Sequence, residues 1–318
     1  MKTFALTCLG IVTSLLLLYF ALPPSGEIEQ VIQLDWSITK MGVAALCYAL
    51  FFVVKAWRWR IMLTETTLGT TTLLPYILTG YAGNILVPMQ MGEALRAGLI
   101  RQHHQLSGSR LLSGILIEKG LDVLCVVVIL FVALVFSQQS APLPQEIVSL
   151  TMVLSVLGVL AGLSAIWQAR WWVSQLQRLE QHYRHNNISQ LVAKLVLAGQ
   201  QMLDYRQRWS TILFTSLLMW LLILLTLYFC LQAAGLATDW TIAALVMFAT
   251  TAGLFLPTSP GFIGTLQAAF LFVMLPLGYP ADKIILASLL YNLLITLPPL
   301  FAGAIAYIQL KNPTKLPG

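Results

Sequence analysis

The chain has 318 residues, of which 58% are hydrophobic and only 9% charged, with a formal net charge of +6. So few charges cannot solvate the surface of a soluble domain, and water is therefore not the main solvent of this protein. The positive charges are spread over short loops rather than gathered in a foldable basic module, which argues against nucleic acid as a partner.

Apolar runs of about 18 or more residues can cross a hydrocarbon core roughly 30 Å thick, and such runs recur from end to end. Residues 4–22 follow Lys2 and lead to Leu22-Pro23-Pro24 without a small-x-small cleavage site, so they read as a retained helix. Further spans are predicted over 41–57, 111–136, 147–168, 209–232 and 284–308, each closed by charged or turn residues. The stretch 169–208 is a polar connector. It carries an apolar stripe of Ile188, Leu191, Val192, Leu195 and Val196, which suits a helix lying in the headgroup plane.

Two other apolar stretches are interrupted. Residues 73–90 contain Gly80, Gly83, Asn84 and Pro88, and are followed by Arg96, Arg101 and Arg110; residues 241–278 contain Pro257, Thr258, Ser259, Pro260, Gly261 and Gly264. Broken backbone at membrane depth survives only where protein or a wet cavity satisfies its polar groups. Corresponding breaks in two halves point to an inverted repeat with a site at its interface. The expected fold is an all-α polytopic membrane protein with about six full transmembrane helices and two re-entrant broken segments. It forms one integral domain, 1–318: an anchor and outer loop (1–40), a first half (41–168), the connector (169–208) and a second half (209–318).

Basic residues are held on the cytoplasmic side of helix ends. Lys2, the Lys55/Arg58/Arg60 cluster, Arg101, Arg110, the basic connector, Lys311 and Lys315 share one side if the N-terminus is inside, whereas the opposite loops hold only Lys40 and Lys283. Both termini are then cytoplasmic in a bacterial-type inner membrane. Cys8, Cys47, Cys125 and Cys230 lie in separate apolar runs without CxxC spacing, and His182 and His185 lack further ligands nearby, so neither metal nor cofactor is expected.

Three constellations carry candidate chemistry. In NILVPMQMGEALR (84–96), Glu93 and Arg96 share a helical face just after the break. In IEKGLD (117–122), Glu118 and Asp122 stand at i,i+4 within an apolar helix, where each ionised side chain costs about 2.5–3.5 kcal/mol. A cation must face them, or one carboxyl is protonated; Arg96, Arg101 and Lys119 are the nearest in sequence. LPTSPGFIGTLQ (256–267) offers dipoles beside Thr258 and Ser259 rather than charge, and helix N-termini after such breaks attract phosphate or carboxylate. LPPLFAG (297–303) kinks the last span.

Taken in order with KAWRWRIML (55–63), these motifs resemble the flippase-like transmembrane domain of lysylphosphatidylglycerol synthases and their stand-alone homologues, from about residue 40 onward. The resemblance implies two inverted halves with re-entrant helices that move lipids between leaflets. Its lipids include anionic or aminoacylated phospholipids, with hopanoid and polyprenyl-linked pathways as other links. Lys119 and Gln267 depart from the Arg and Glu common in related proteins, and no soluble aminoacyl-transfer domain follows. The expected function is that of a lipid transporter and not an enzyme, with Asn84, Glu93, Arg96, Arg101, Glu118, Asp122, Thr258, Ser259 and Gln267 as the substrate site. A homo-oligomer is compatible with it. The rival expectations are a lipid-modifying membrane transferase and a scaffold subunit of a glycosyltransferase.

Overall fold

A computed structural model describes residues 36–63, 68–87, 91–136, 168–182, 187–254 and 259–311, with scattered positions from 149 to 164. The predicted helix 4–22, most of the predicted span 147–168, and the breaks at Pro88 and Pro257-Thr258 lie outside the described residues. Helix α1 runs Ile38–Met62, α2 Thr70–Leu86, α3 Gly92–His104 and α4 Gly108–Phe136. The connector holds α5, Ala169–His182, and α6, Asn187–Asp204. The second half holds α7 Trp209–Ala233, α8 Trp240–Gly253, α9 Thr265–Met274 between two 3₁₀ turns, and α10 Ala281–Lys311. The fold is all-α among the described residues, and five of its stretches are long and apolar enough to cross a membrane.

Each half reads long, short, short, long: 25, 17, 13 and 29 residues, then 25, 14, 10 and 31. The first long helices of the halves, α1 and α7, pack antiparallel. Ser37 N–H donates to Ala233 O (3.0 Å) at one end, and Arg208 Nη1 donates to Ile61 O (3.1 Å) at the other. Helix α1 starts where Ser37 caps it, its hydroxyl accepting from Lys40 N–H; Asp239 caps α8 in the same way through Ile242 N–H. Outward faces stay apolar, with Leu46, Leu50, Val53, Phe272, Phe301 and Ile305 exposed, as lipid contact requires.

The short helices form hairpins. Helix α3 folds back on α2: Gly92 sits on Gly80 and Gly83, and near the open end Tyr76 Oη lies 3.0 Å from both His103 Nδ1 and His104 Nε2. Gln105 then turns the chain in a left-handed conformation (φ 53°) into α4. Only glycine fits at 92, because a Cβ there would stand 1.9 Å from Gly80 O. In the second half the chain turns at Gly261 (φ 72°) and Gly264 (φ 88°), conformations that glycine adopts freely, and α9 returns along α8 with Thr265 against Gly253. At the start of α10, Lys283 approaches Gly235, which follows α7. The α2–α3 hairpin therefore opens toward the Met62 end of α1, and the α8–α9 hairpin toward its Ser37 end. By length alone the segment Pro260–Leu277 counts among the membrane-crossing stretches, yet its breaks and contacts return it to the end at which α8 begins.

Burial and the neighbouring His103 lower the His104 pKa, so the imidazole packed on Tyr76 is favoured in its neutral form. The unfolded imidazole protonates near its ordinary value of about 6.5. A depressed folded value means that this contribution to stability is full above that pH and is lost as pH falls through the folded value. Amide exchange in 70–104, corrected for its intrinsic pH dependence, should therefore quicken from pH 7.5 to pH 5 in the wild type. The change should vanish in His104→Gln; an equal change in both would remove His104 as its source.

Candidate functional site

A cavity of about 170 Å³ lies where the two hairpin tips meet between the long helices. Its polar wall comes from Asn84 at the end of α2, Glu93 at the start of α3, and Lys119 and Asp122 on α4. The rest is largely apolar, with Tyr48 and Phe51 from α1, Ile223 from α7, and Phe262 and Leu266 from the second tip. A single space thus offers charge on one side and hydrocarbon-like surface on the other.

Behind the polar wall is a buried charge network. Glu118, fully buried, accepts from Arg58 Nη2 (2.7 Å), Arg96 Nη2 (2.8 Å), Trp59 Nε1 (2.7 Å) and Lys55 Nζ. Asp122 accepts from Arg58 Nη1 (2.8 Å) and Trp220 Nε1 (3.2 Å), and Arg58 also donates to Ser216 Oγ. Glu93 pairs with Arg96 (2.5 Å) and Lys119 (3.5 Å), while the Arg96 guanidinium stacks 4.1 Å over the Trp59 ring. Buried charges persist only when paired and hydrogen-bonded, and here both conditions hold for the carboxylate at the centre. Four cations, Lys55, Arg58, Arg96 and Lys119, nonetheless face three carboxylates. Arg58 Nε and Arg96 Nε and Nη1 are buried donors without an acceptor among the described residues.

The structure brings Asn84, Glu93, Arg96, Glu118 and Asp122 together. Asn84 Oδ1 is buried at the cavity edge without a partner among the described residues. Arg101 stays apart: it is exposed near the end of α3, with its side chain against Gly108, so it does not face the carboxylates. Ser259 lies outside the cavity lining and donates to Ile263 O (2.7 Å). Gln267, nearly fully buried, accepts the Gly264 N–H (2.7 Å), and Thr258 lies outside the described residues. Among the described residues no three His, Cys, Asp or Glu side chains cluster as metal ligands do.

Lys55 and Arg58, expected at the cytoplasmic end of their helix, take part in the network instead, and Trp59 joins them. The span expected to end at 57 continues to Met62, which sets Lys55 and Arg58 about two turns and one turn inside the helix. Their spacing of three was the available signal: it puts two cations on one face, as two carboxylates at i,i+4 demand.

A family model described as Lysylphosphatidylglycerol synthase TM region matches residues 7–303. The chain belongs to this family. The match takes in both hairpins, every member of the charge network and all the cavity residues, so the likeness of the four motifs extends over nearly the whole chain. No curated protein matches the chain.

Proposed function

We propose that this member of the family moves a phosphate-bearing lipid between the leaflets of a bacterial inner membrane, acting as a transporter and not as an enzyme. The observation that carries the reading is the cavity between the tips of two hairpins that open toward opposite ends of the molecule, with charge on one wall and apolar side chains on the other. A lipid has the same division. Its headgroup would occupy the polar wall while its tails remain in hydrocarbon.

Arg96 is the phosphate ligand in this reading. Its Nε and Nη1 have no acceptor among the described residues, and because they lie on different edges of the guanidinium, each can give a phosphate oxygen one charge-assisted hydrogen bond. Glu93, Asp122 and the unpaired Asn84 Oδ1 supply acceptors, which favours a headgroup that also carries an amine, such as an aminoacylated phospholipid. The excess of Lys and Arg at the Met62 end supports a cytoplasmic location for that end and, in this reading, for both termini.

Proteoliposomes carrying a fluorescent phospholipid, chemically bleached from outside, test the reading. Wild type should let bleaching pass beyond the outer leaflet. Arg96→Lys keeps the charge but loses the separate Nε and Nη1 donors, and should slow exchange about tenfold, equivalent to about 1.4 kcal/mol. Exchange no faster with wild type than in protein-free vesicles would sink the transport reading; equal rates in wild type and Arg96→Lys of matched thermal midpoint would remove Arg96 from the path.

A further inference from the structure

The second hairpin carries polar groups for which the charge network has no use. Gln267 is 4% exposed, and its Oε1 accepts the Gly264 N–H at 2.7 Å, which holds the amide across the N-terminus of α9. Its Nε2 is buried without an acceptor among the described residues. Beside the same turn, Thr296 is 8% exposed with an unpartnered Oγ1, its methyl facing Gly261. Leu266 and Gln267 occupy the second and third positions of α9, where backbone N–H groups have no acceptor within the helix. Leu266 also lines the cavity.

The two hairpins treat their returning helices differently. Helix α3 begins with Glu93 in its first turn, so a carboxylate of the chain itself answers the partial positive charge of that helix end. The first turn of α9 has no acidic residue, and an amide donor stands in it. Buried donors that lack partners in a folded protein call for an acceptor that is absent, and donors gathered at a helix N-terminus suit an anion.

We propose that the α9 N-terminus is a second phosphate station, where a phosphate oxygen accepts from Gln267 Nε2, the Thr296 hydroxyl and the backbone N–H groups of Leu266 and Gln267. It rests on the transport reading for the identity of the phosphate's carrier, a lipid headgroup. A headgroup held by Arg96 at the first tip would pass to a station built of dipoles at the second. The two stations differ in kind: one is cationic and balanced by carboxylates, the other neutral. A path with a charged site at one tip and a weaker dipolar site at the other gives the phosphate a place to go without a second deep trap.

Native mass spectrometry of the full chain, titrated with phosphatidylglycerol and separately with diacylglycerol of the same chains, tests the station. The variant is Gln267→Glu, whose carboxylate still accepts the Gly264 N–H but repels phosphate. Phosphatidylglycerol retention should fall about tenfold while diacylglycerol retention is unchanged. Thr296→Val, near-isosteric and without the hydroxyl, should weaken phosphatidylglycerol retention in the same direction and reads the station independently if Gln267→Glu folds poorly. Inorganic phosphate and glycerol phosphate, followed by thermal midpoint, separate the sources. Stabilisation by either, lost in Gln267→Glu, assigns the station to the free anion; stabilisation by the lipid alone assigns it to the headgroup. Wild-type retention of phosphatidylglycerol in both folded variants overturns the station. Proteoliposome exchange separates this from the transport reading: variants that exchange and bind as wild type does leave transport standing without the station, and a wild type that binds but does not exchange lipid leaves the station standing without transport.

Discussion

Replacing Glu118 with alanine should lower the thermal midpoint in detergent by about 10 °C or more, or prevent the protein from accumulating. The side chain is fully buried and holds Lys55, Arg58, Arg96 and the Trp59 indole. Breaking one buried ion pair typically costs about 3–5 kcal/mol, because the surviving charge is left desolvated, and here three cations lose one shared partner. Against a total stability of about 5–15 kcal/mol such a loss is large. The contacts of one network do not add, so the sum of three pairs is not the expected figure. Glu118→Gln keeps the volume but leaves the cations uncompensated, and should fall nearly as far. Adding Lys55→Met to it removes one buried charge and should restore part of the midpoint. A Glu118→Ala variant that melts within about 2 °C of wild type would show that the network does not hold α1, α3 and α4 together.

Gly92→Ala should damage the site more selectively. The new Cβ would stand 1.9 Å from Gly80 O and 2.5 Å from Asn84 N, both backbone atoms that cannot rotate aside. The hairpin must open by more than an ångström at its tip, which carries Asn84 and Glu93 away from each other at the polar wall of the cavity. Overpacking of this kind costs about 1–3 kcal/mol, which a protein of this size can survive. Lipid exchange in proteoliposomes should be nearly abolished while a folded protein is still recovered. Gly98, on the same helix, has nothing within 4 Å of a built Cβ, and Gly98→Ala should leave exchange unchanged and raise stability by about 0.5–1 kcal/mol. Wild-type exchange in Gly92→Ala would mean that close packing of the first hairpin is unnecessary for transport.

Much of the fold was legible in the chain because a bilayer simplifies the code. Long apolar runs read as helices, since only a helix satisfies its backbone within a single segment in hydrocarbon. The glycines and prolines of 256–264 and the end of the 73–90 stretch marked the places where those helices break, whereas α2 runs unbroken through Gly80 and Gly83 to Leu86 and uses them as the surface on which Gly92 packs. The hairpins α2–α3 and α8–α9 fall on these marks, and the described long helices α1, α4, α7 and α10 fall on predicted spans. Boundaries were less legible. The end of α1 was set too early, because Lys55 and Arg58 read as interface residues when counted only with their sequence neighbours, and their carboxylate partners come from 60 or more positions away. Arg101 was chosen for proximity along the chain, and the direction of its side chain at the open end of the hairpin excludes it.

The sequence by itself determined that this protein lives in a membrane, that two of its apolar segments are broken, and that Glu118 and Asp122 need either a facing cation or a proton. Those conclusions follow from composition, local backbone chemistry and the cost of ions in hydrocarbon, all of which are properties of short stretches. The breaks also pointed to an inverted repeat with a site at its interface; only the tertiary structure decided which cations answer the carboxylates and which side chains line the cavity that the hairpin tips enclose. These are matters of which helix lies against which, and the antiparallel packing of α1 on α7, with helix faces far apart in the chain brought together, sets them.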